Sequence, residues 1–301
     1  MQYNVRIGID LGNGYTKYRG KMFKTRTRTG KVLEIGNKRE NIHSIKFNGI
    51  DFVVGEGEML TGEDKYDNLR YKLCLLTAIA DANRRLKNIK AKVCVGLPLL
   101  DYYRLKDDVA EKILDWGEQT ITVNDREVTI EIVEVDVFIE GALPILEEDM
   151  GHILIIDIGS GTINVSEWEG MSPLKYDTIK GSFYKVYSDM ATYVNNDKGG
   201  SFSVEDMEKI VLRRKTKTPI KQIMTDISDA YTILEDFVSG SASLIKQKFN
   251  TDQIEHIRIL GGGAEPSFKY WLDHFPEAEL VQNSQFINSE IYEMVANIDH
   301  E

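Results

Sequence analysis

Two segments of this 301-residue chain follow one plan: an apolar run, then Asp-x-Gly-x-Gly, then a run with β-branched residues. The first is Arg6-Ile7-Gly8-Ile9-Asp10-Leu11-Gly12-Asn13-Gly14-Tyr15-Thr16-Lys17. The second is Ile153-Leu154-Ile155-Ile156-Asp157-Ile158-Gly159-Ser160-Gly161-Thr162-Ile163-Asn164. They lie 147 residues apart (157 minus 10), and no other segment of the chain repeats in this way.

The order of parts points to phosphate chemistry. An apolar strand from Tyr3 to Ile9 delivers Asp10 at its end, where a fixed carboxylate can hold hydrated Mg²⁺ through its waters. Gly12-Asn13-Gly14 tolerate positive φ, and a turn without large side chains lets backbone N–H groups approach an anion. Thr16 and Lys17 add a hydroxyl and a positive charge on the returning strand. Neither common glycine loop fits, because the P-loop and the dinucleotide fingerprint both open a helix. Here Tyr15, Thr16 and Tyr18 follow, which favours a hairpin. One such turn alone is an ordinary hairpin; two predict matching halves of one site that clamps a polyphosphate and its metal.

The length suggests about two domains, and 42% hydrophobic with 28% charged residues is an ordinary soluble composition. No run approaches about 18 apolar residues, and no basic-then-apolar leader follows Met1, so the expected location is the cytoplasm, with no membrane partner. A net charge of −11 argues against direct wrapping of nucleic acid. Two basic stretches, 21–28 and 213–217, read as a solvated strand edge or helix end. Cys74 and Cys94 lack metal or redox spacing and read as buried thiols.

Along the chain, residues 21–57 read as strands, with Asn48-Gly49 marking a hairpin. Residues 66–88 carry Leu69, Leu73, Leu76, Ile79, Ala80 and Leu86 at helical spacing. A buried strand, Ala91 to Pro98, a helix over about 102–115, a hairpin at Asn124-Asp125 and a long strand, Glu127 to Phe138, follow. Glu140-Gly141-Ala142 then reads as a helix start, where an acid either orients a water or answers the helix dipole.

After the second loop, strands continue to about Lys180 and a helix runs from Ser182 to Asn195. Asn195 to Gly200 reads as a loop. Ser203 with Asp206 predicts a capping box. Residues 219–247 read as one long amphipathic segment, with Ile223, Ile227, Tyr231, Leu234 and Val238 in the core. The strand Ile257–Leu260 then meets Gly261-Gly262-Gly263, a surface stripped of side chains against which a flat ligand or phosphate can lie. Phe286 to Ile298 reads as a helix packing back on the body.

Taken together, Asp10 to Lys17, Glu140-Gly141-Ala142, Asp157 to Thr162 and Leu260 to Ala264 resemble, in order, the motifs of the actin, Hsp70 and sugar-kinase superfamily. They match its first phosphate loop, connecting segment, second phosphate loop and adenosine segment. The Asn-Gly-Tyr-Thr-Lys variant, Val54-Gly55-Glu56-Gly57 and Gly96-Leu97-Pro98 are similar to the ParM-type actins of bacteria.

That resemblance implies an α/β actin-like fold, two RNase H-like domains around a nucleotide cleft. Domain I would span 1–150 with a small subdomain inserted at about 30–90, domain II 151–285, and 286–301 would return to domain I. It implies that Asp10 and Asp157 hold Mg²⁺ through water and that Gly12, Asn13, Gly14, Tyr15, Thr16 and Lys17 line the phosphates. Gly159, Ser160, Gly161 and Thr162 would do the same from the second loop, with Gly261, Gly262 and Gly263 against the adenosine and Glu140 activating the attacking water. The implied activity is hydrolysis of ATP, with GTP not distinguished from it, coupled to a head-to-tail filament that segregates plasmid DNA through a DNA-binding adaptor. A small-molecule kinase or a dehydratase-activating ATPase of the same fold is the alternative.

Overall fold

The computed structural model describes residues 3–32, 41–59, 65–146 and 151–298. Residues 33–40, within the stretch expected to be strand, and 147–150, at the expected domain boundary, lie outside the described residues, as do 60–64. The chain divides into two compact units, one of residues 1–142 with 286–301 and one of residues 143–285.

Unit 1 contains β1 (Val5–Leu11), β2 (Tyr15–Tyr18), β3 (Lys21–Lys24), β4 (Arg26–Thr29), β5 (His43–Phe47), β6 (Ile50–Val54) and β7 (Glu58–Met59). Then come α1 (Leu69–Ala82), β8 (Asn88–Leu97), α2 (Leu99–Leu114), β9 (Glu118–Val123) and β10 (Arg126–Ile139). The ten strands form one sheet in the order β3-β2-β1-β8-β10-β9-β5-β6-β4-β7, with β1, β8 and β10 parallel. Unit 2 contains β11 (His152–Ile158), β12 (Thr162–Glu169), β13 (Ser172–Lys180), α3 (Phe183–Lys198), α4 (Val204–Leu212), β14 (Lys217–Ile220) and β15 (Ile223–Asp226). It continues with α5 (Thr232–Lys248), β16 (His256–Leu260), α6 (Ala264–Leu272) and β17 (Glu279–Leu280). Its main sheet runs β13-β12-β11-β16-β17. The last helix, α7 (Ile287–Ala296), belongs to unit 1.

The period-two alternation of β1 and β8 sorts their side chains onto two faces. Ile7, Ile9 and Leu11 with Val93, Val95 and Leu97 join α1 residues such as Leu73 and Leu76 in one core. The intervening positions Gly8 and Gly96 lie under α7. A β-carbon at Gly8 would stand 2.0 Å from the backbone nitrogen of Glu293, and one at Gly96 2.0 Å from Tyr292 Oη. The two glycines therefore let the helix descend onto the sheet. Beyond β2's short pairing with β1, side chains complete the strand edge. Gly8 N–H donates to Glu293 Oε2 at 2.7 Å, and Arg19 bridges Glu293 and the Arg6 carbonyl.

Several expected elements shift. β1 extends to Leu11, so Asp10 is its penultimate residue rather than its end. Asn48-Gly49 and Asn124-Asp125 all take positive φ, as two-residue hairpin turns require. α1 stops at Ala82, leaving Leu86 outside it, where Asn83 turns its side chain back to the Ile79 carbonyl. α3 runs on to Lys198 and ends at left-handed Gly199, so Asn195 to Lys198 are helical rather than loop. The capping box of Ser203 and Asp206 is present.

The largest correction falls on 219–247. Residues 217–226 form a hairpin turning at Lys221-Gln222, both at positive φ, and the helix begins only at Thr232. Two successive left-handed residues at 221 and 222 cannot be part of a right-handed helix. Ile223, expected in the core, is 69% exposed, whereas Ile227, Leu234 and Val238 are buried as expected.

Between β2, α1 and β5 lies a buried polar cluster. Burial alone would raise the Asp81 carboxyl, but hydrogen bonds from Lys21, Arg84 and Tyr18 outweigh it and hold it below the usual range. Burial lowers the nearby His43 imidazole, which bonds Asn124 at 3.1 Å. Two outcomes are expected. Gly8→Ala should cost about 3 kcal/mol in denaturant unfolding, because the overpacked neighbour is backbone. His43 folds uncharged, so its contribution is complete above about pH 6.5 and is lost as pH falls through its lower folded value. Melting temperature should drop across that interval, and His43→Gln should flatten the drop.

Candidate functional site

In unit 1, the Asp10 side chain is buried at the β1–β2 hairpin, opposite Lys17 in the strand register. Lys17 Nζ donates to Asp10 Oδ2 at 2.9 Å, with both side chains largely buried. The turn closes where Gly12 N–H donates to the Tyr15 carbonyl at 3.1 Å, and the Gly14 carbonyl accepts from Thr25 N–H at 3.0 Å. Gly12, Asn13 and Gly14 are absent from the positive-φ residues, so the expected need for left-handed backbone is not met here. A β-carbon at Gly12 would meet protein at ordinary distances, 3.4 Å from the Tyr15 carbonyl and 3.7 Å from Asp10 Oδ1.

Thr16 departs from expectation. Its hydroxyl is buried and shares a hydrogen bond with the Thr25 hydroxyl at 3.0 Å, so its side chain faces the core and not the loop. Strand alternation decides this: Lys17 shares a face with Tyr15, and Thr16 takes the opposite one.

Unit 2 repeats the geometry. Asp157 is penultimate in β11 and buried, opposite Asn164 in the register. Gly159 N–H donates to the Thr162 carbonyl at 2.9 Å. Thus Asp-x-Gly gives the same turn twice, with Lys17 and Asn164 each seven residues beyond their aspartate. That offset was readable in the sequence and marks Asn164, whose Oδ1 accepts from the Thr178 hydroxyl at 3.0 Å, as a member of the second site.

The three glycines come to this second loop. β16 runs parallel to β11 with Leu260 beside Asp157. Gly261 follows at φ +93°, and a β-carbon there would lie 2.3 Å from Asp157 Oδ1 and 2.6 Å from the Ile158 carbonyl. Gly263 N–H donates to that same carbonyl at 2.9 Å, and its own β-carbon would strike Ile158 and Phe183. Gly262 has open space where a β-carbon would stand. Ser160 is fixed from a residue the sequence did not single out: its carbonyl accepts from Tyr184 N–H at 3.2 Å, in the first turn of α3.

Glu140 lies just past β10 in unit 1, its N–H donating to the Leu97 carbonyl at 2.8 Å. The expected helix start is instead a turn with Gly141 at φ +74°, then a single 3₁₀ turn, Leu143–Ile145. Asn288 of α7 accepts from Gly141 N–H at 2.9 Å and fixes that turn. Pro144, within two residues of Ala142, limits regular helix.

Asp10 and Asp157 supply hard carboxylate oxygens of the kind Mg²⁺ takes. No group of three or more potential metal ligands occurs among the described residues. Cys74 and Cys94 are buried; burial pushes the Cys74 thiol up to about 12, which disfavours the thiolate a cluster would need. The basic stretch 213–217 is exposed at the end of α4 and start of β14, and Arg214 reaches Glu265 at 3.5 Å. No helix among the described residues is long and apolar enough to cross a membrane. Gly261→Ala should destabilise unit 2 by about 2 kcal/mol, from strained φ and collision with Asp157, measured by denaturant unfolding.

The model for the N-terminal domain of actin-like proteins matches residues 8–142. Solved structures match along nearly the whole chain, three of them as follows. The archaeal actin homologue Ta0583 in complex with ADP is 18% identical, covering 97% of this chain and 99% of that one, with a TM-score of 0.80. ParM from a 15-stranded filament of Clostridium botulinum is 20% identical, covering 97% and 99%, with a TM-score of 0.76. Apo psk41 ParM is 19% identical, covering 97% of each, with a TM-score of 0.68. No curated protein matches this sequence. At these identities the whole-chain likeness is one of fold, and the matched domain model agrees with it: residues 8–142 are similar to the N-terminal domain of actin-like proteins, and the chain as a whole has the fold of ParM and of the archaeal actin homologue.

Proposed function

We propose that this protein binds ATP with Mg²⁺, hydrolyses it, and couples hydrolysis to head-to-tail assembly into a filament that moves or separates plasmid DNA through an adaptor. The observation that carries this reading is the duplicated turn. Each unit holds a buried aspartate at a penultimate strand position, followed by a glycine whose N–H bonds the carbonyl three residues on. In each copy the carboxylate stands beside a turn of small residues and backbone N–H groups, the surroundings that a phosphate and its hydrated cation would use.

On this reading the loops 11–14 and 158–162 present backbone N–H groups to the phosphates of one nucleotide. Asp10 and Asp157 hold the hydrated cation, which when bound neutralises phosphate charge. Gly261 to Gly263 give the base and ribose a surface without side chains. Glu140 accepts a proton from the attacking water, while positioning supplies most of the acceleration. Support for the ligand comes from the ADP bound by the archaeal homologue, and for assembly from the filament of the clostridial ParM. A head-to-tail contact joins two different surfaces, so it propagates instead of closing. The net charge of −11 favours an adaptor over direct DNA contact.

With ATP and Mg²⁺ the protein should pellet and show filaments by electron microscopy, and phosphate should appear without any acceptor. Glu140→Gln should slow phosphate release by about 100-fold while nucleotide still binds. Phosphate transfer to a sugar or acid, with no pelletable polymer at any protein or salt concentration, would replace this reading with the kinase alternative.

A further inference from the structure

Residues 209–225 carry six basic side chains and no acid, in a chain whose net charge is −11, so the remainder carries −17 (−11 minus 6). The block runs from the last turn of α4 through β14 and the Lys221-Gln222 turn into β15. Arg213, Lys215, Lys217 and Lys221 are exposed and make no ion pair among the described residues. Beside them Ile223 and Met224 are 69% and 64% exposed. The turn between the strands keeps Lys221 and Gln222 at positive φ, a backbone that Asn-Gly would adopt with less strain. Long polar side chains held on such a turn, next to bare apolar ones, are the marks of a surface that touches a partner.

Charge decides what that partner is. The patch cannot meet its own copy across a two-fold axis, because like charges would then face each other. It needs a different surface, acidic and with apolar groups among the acids. The chain carries one on α2. Val109 and Ile113 turn inward and Tyr102 and Leu105 pack on the core, which leaves Leu100, Tyr103, Asp107, Glu111 and Leu114 exposed in a stripe at helical spacing on the outer face. The bases of this helix are each tied to an acid: Arg104 to Asp101 at 2.7 Å, Lys106 to Asp107 at 3.7 Å and Lys112 to Asp67 at 2.7 Å. Glu111, in the middle of the stripe's acidic half, makes no ion pair among the described residues.

We propose that the β14–β15 hairpin of one copy docks on the outer stripe of α2 in a second copy. The basic side chains around the hairpin face Asp107 and Glu111, while Ile223 and Met224 cover Leu100, Tyr103 and Leu114. This rests on the filament reading above and names its contact. Each copy offers both surfaces, and neither fits itself, so the joint repeats from copy to copy instead of closing.

The test compares pelleting with ATP and Mg²⁺ for wild type, a hairpin variant (Lys215→Glu with Lys221→Glu), a helix variant (Asp107→Lys with Glu111→Lys) and the fourfold variant. Each twofold variant alone should need about tenfold more protein to pellet, because like charges now oppose docking. The two mixed in equal amounts should pellet close to wild type, as alternating copies set opposite charges together again, and so should the fourfold variant by itself. All should melt close to wild type, since the four positions are exposed. Recovery on mixing separates docking from damage, because a misfolded protein is not mended by adding another. Pelleting of either twofold variant at the wild-type concentration overturns the proposal. So does failure of both the mixture and the fourfold variant to recover. Sedimentation of wild type with vesicles of anionic phospholipid, lost in a hairpin variant whose polymer is unchanged, assigns the patch to a membrane and also overturns it. A wild type that forms no polymer defeats the filament reading itself and this contact with it, a result distinct from a loss seen in the variants alone.

Discussion

Both units depend on one hydrogen bond, the glycine N–H to carbonyl contact that closes each Asp-x-Gly turn. A strand that carries a carboxylate inward must reverse at once, or the returning strand would not stand opposite the acid. In unit 1 that strand brings Lys17 across from Asp10; in unit 2 it brings Asn164 across from Asp157. The two copies therefore differ in charge while sharing a backbone. The first acid pairs with Lys17, and the second lies close against the backbone of Gly261. Breaking a largely buried pair such as Lys17 with Asp10 generally costs about 3–5 kcal/mol, so the first loop is bound up with stability as well as chemistry.

Much of the fold was legible because local rules agreed with one another. Asn48-Gly49 and Asn124-Asp125 specified hairpins through residues that accept positive φ, and Ser203 with Asp206 specified a helix start through reciprocal hydrogen bonds. The repeat of Asp-x-Gly-x-Gly located both turns and their aspartates. Where reading failed, two patterns overlapped. Ile223, Ile227 and Tyr231 keep helical spacing, yet the Lys221-Gln222 turn makes the first part a hairpin. Local turn chemistry overrode periodicity there.

The site was legible in residue type more than in direction. Thr16 looked like a phosphate ligand because it follows the loop, but alternation turns it inward to Thr25. Glycines 12 and 14 looked like left-handed positions, whereas neither takes positive φ, and at Gly12 a β-carbon would meet protein only at ordinary distances.

The descent of α7 onto Gly8 and Gly96 orders events during synthesis. The strand bearing Asp10 is made before unit 2, while the helix that covers its second face comes after all of residues 143–285. Unit 2 has its full complement of chain before unit 1 does. On a ribosome β1 therefore waits, one face bare, until α7 emerges, and the first loop reaches its finished setting only after the whole of unit 2 has been made.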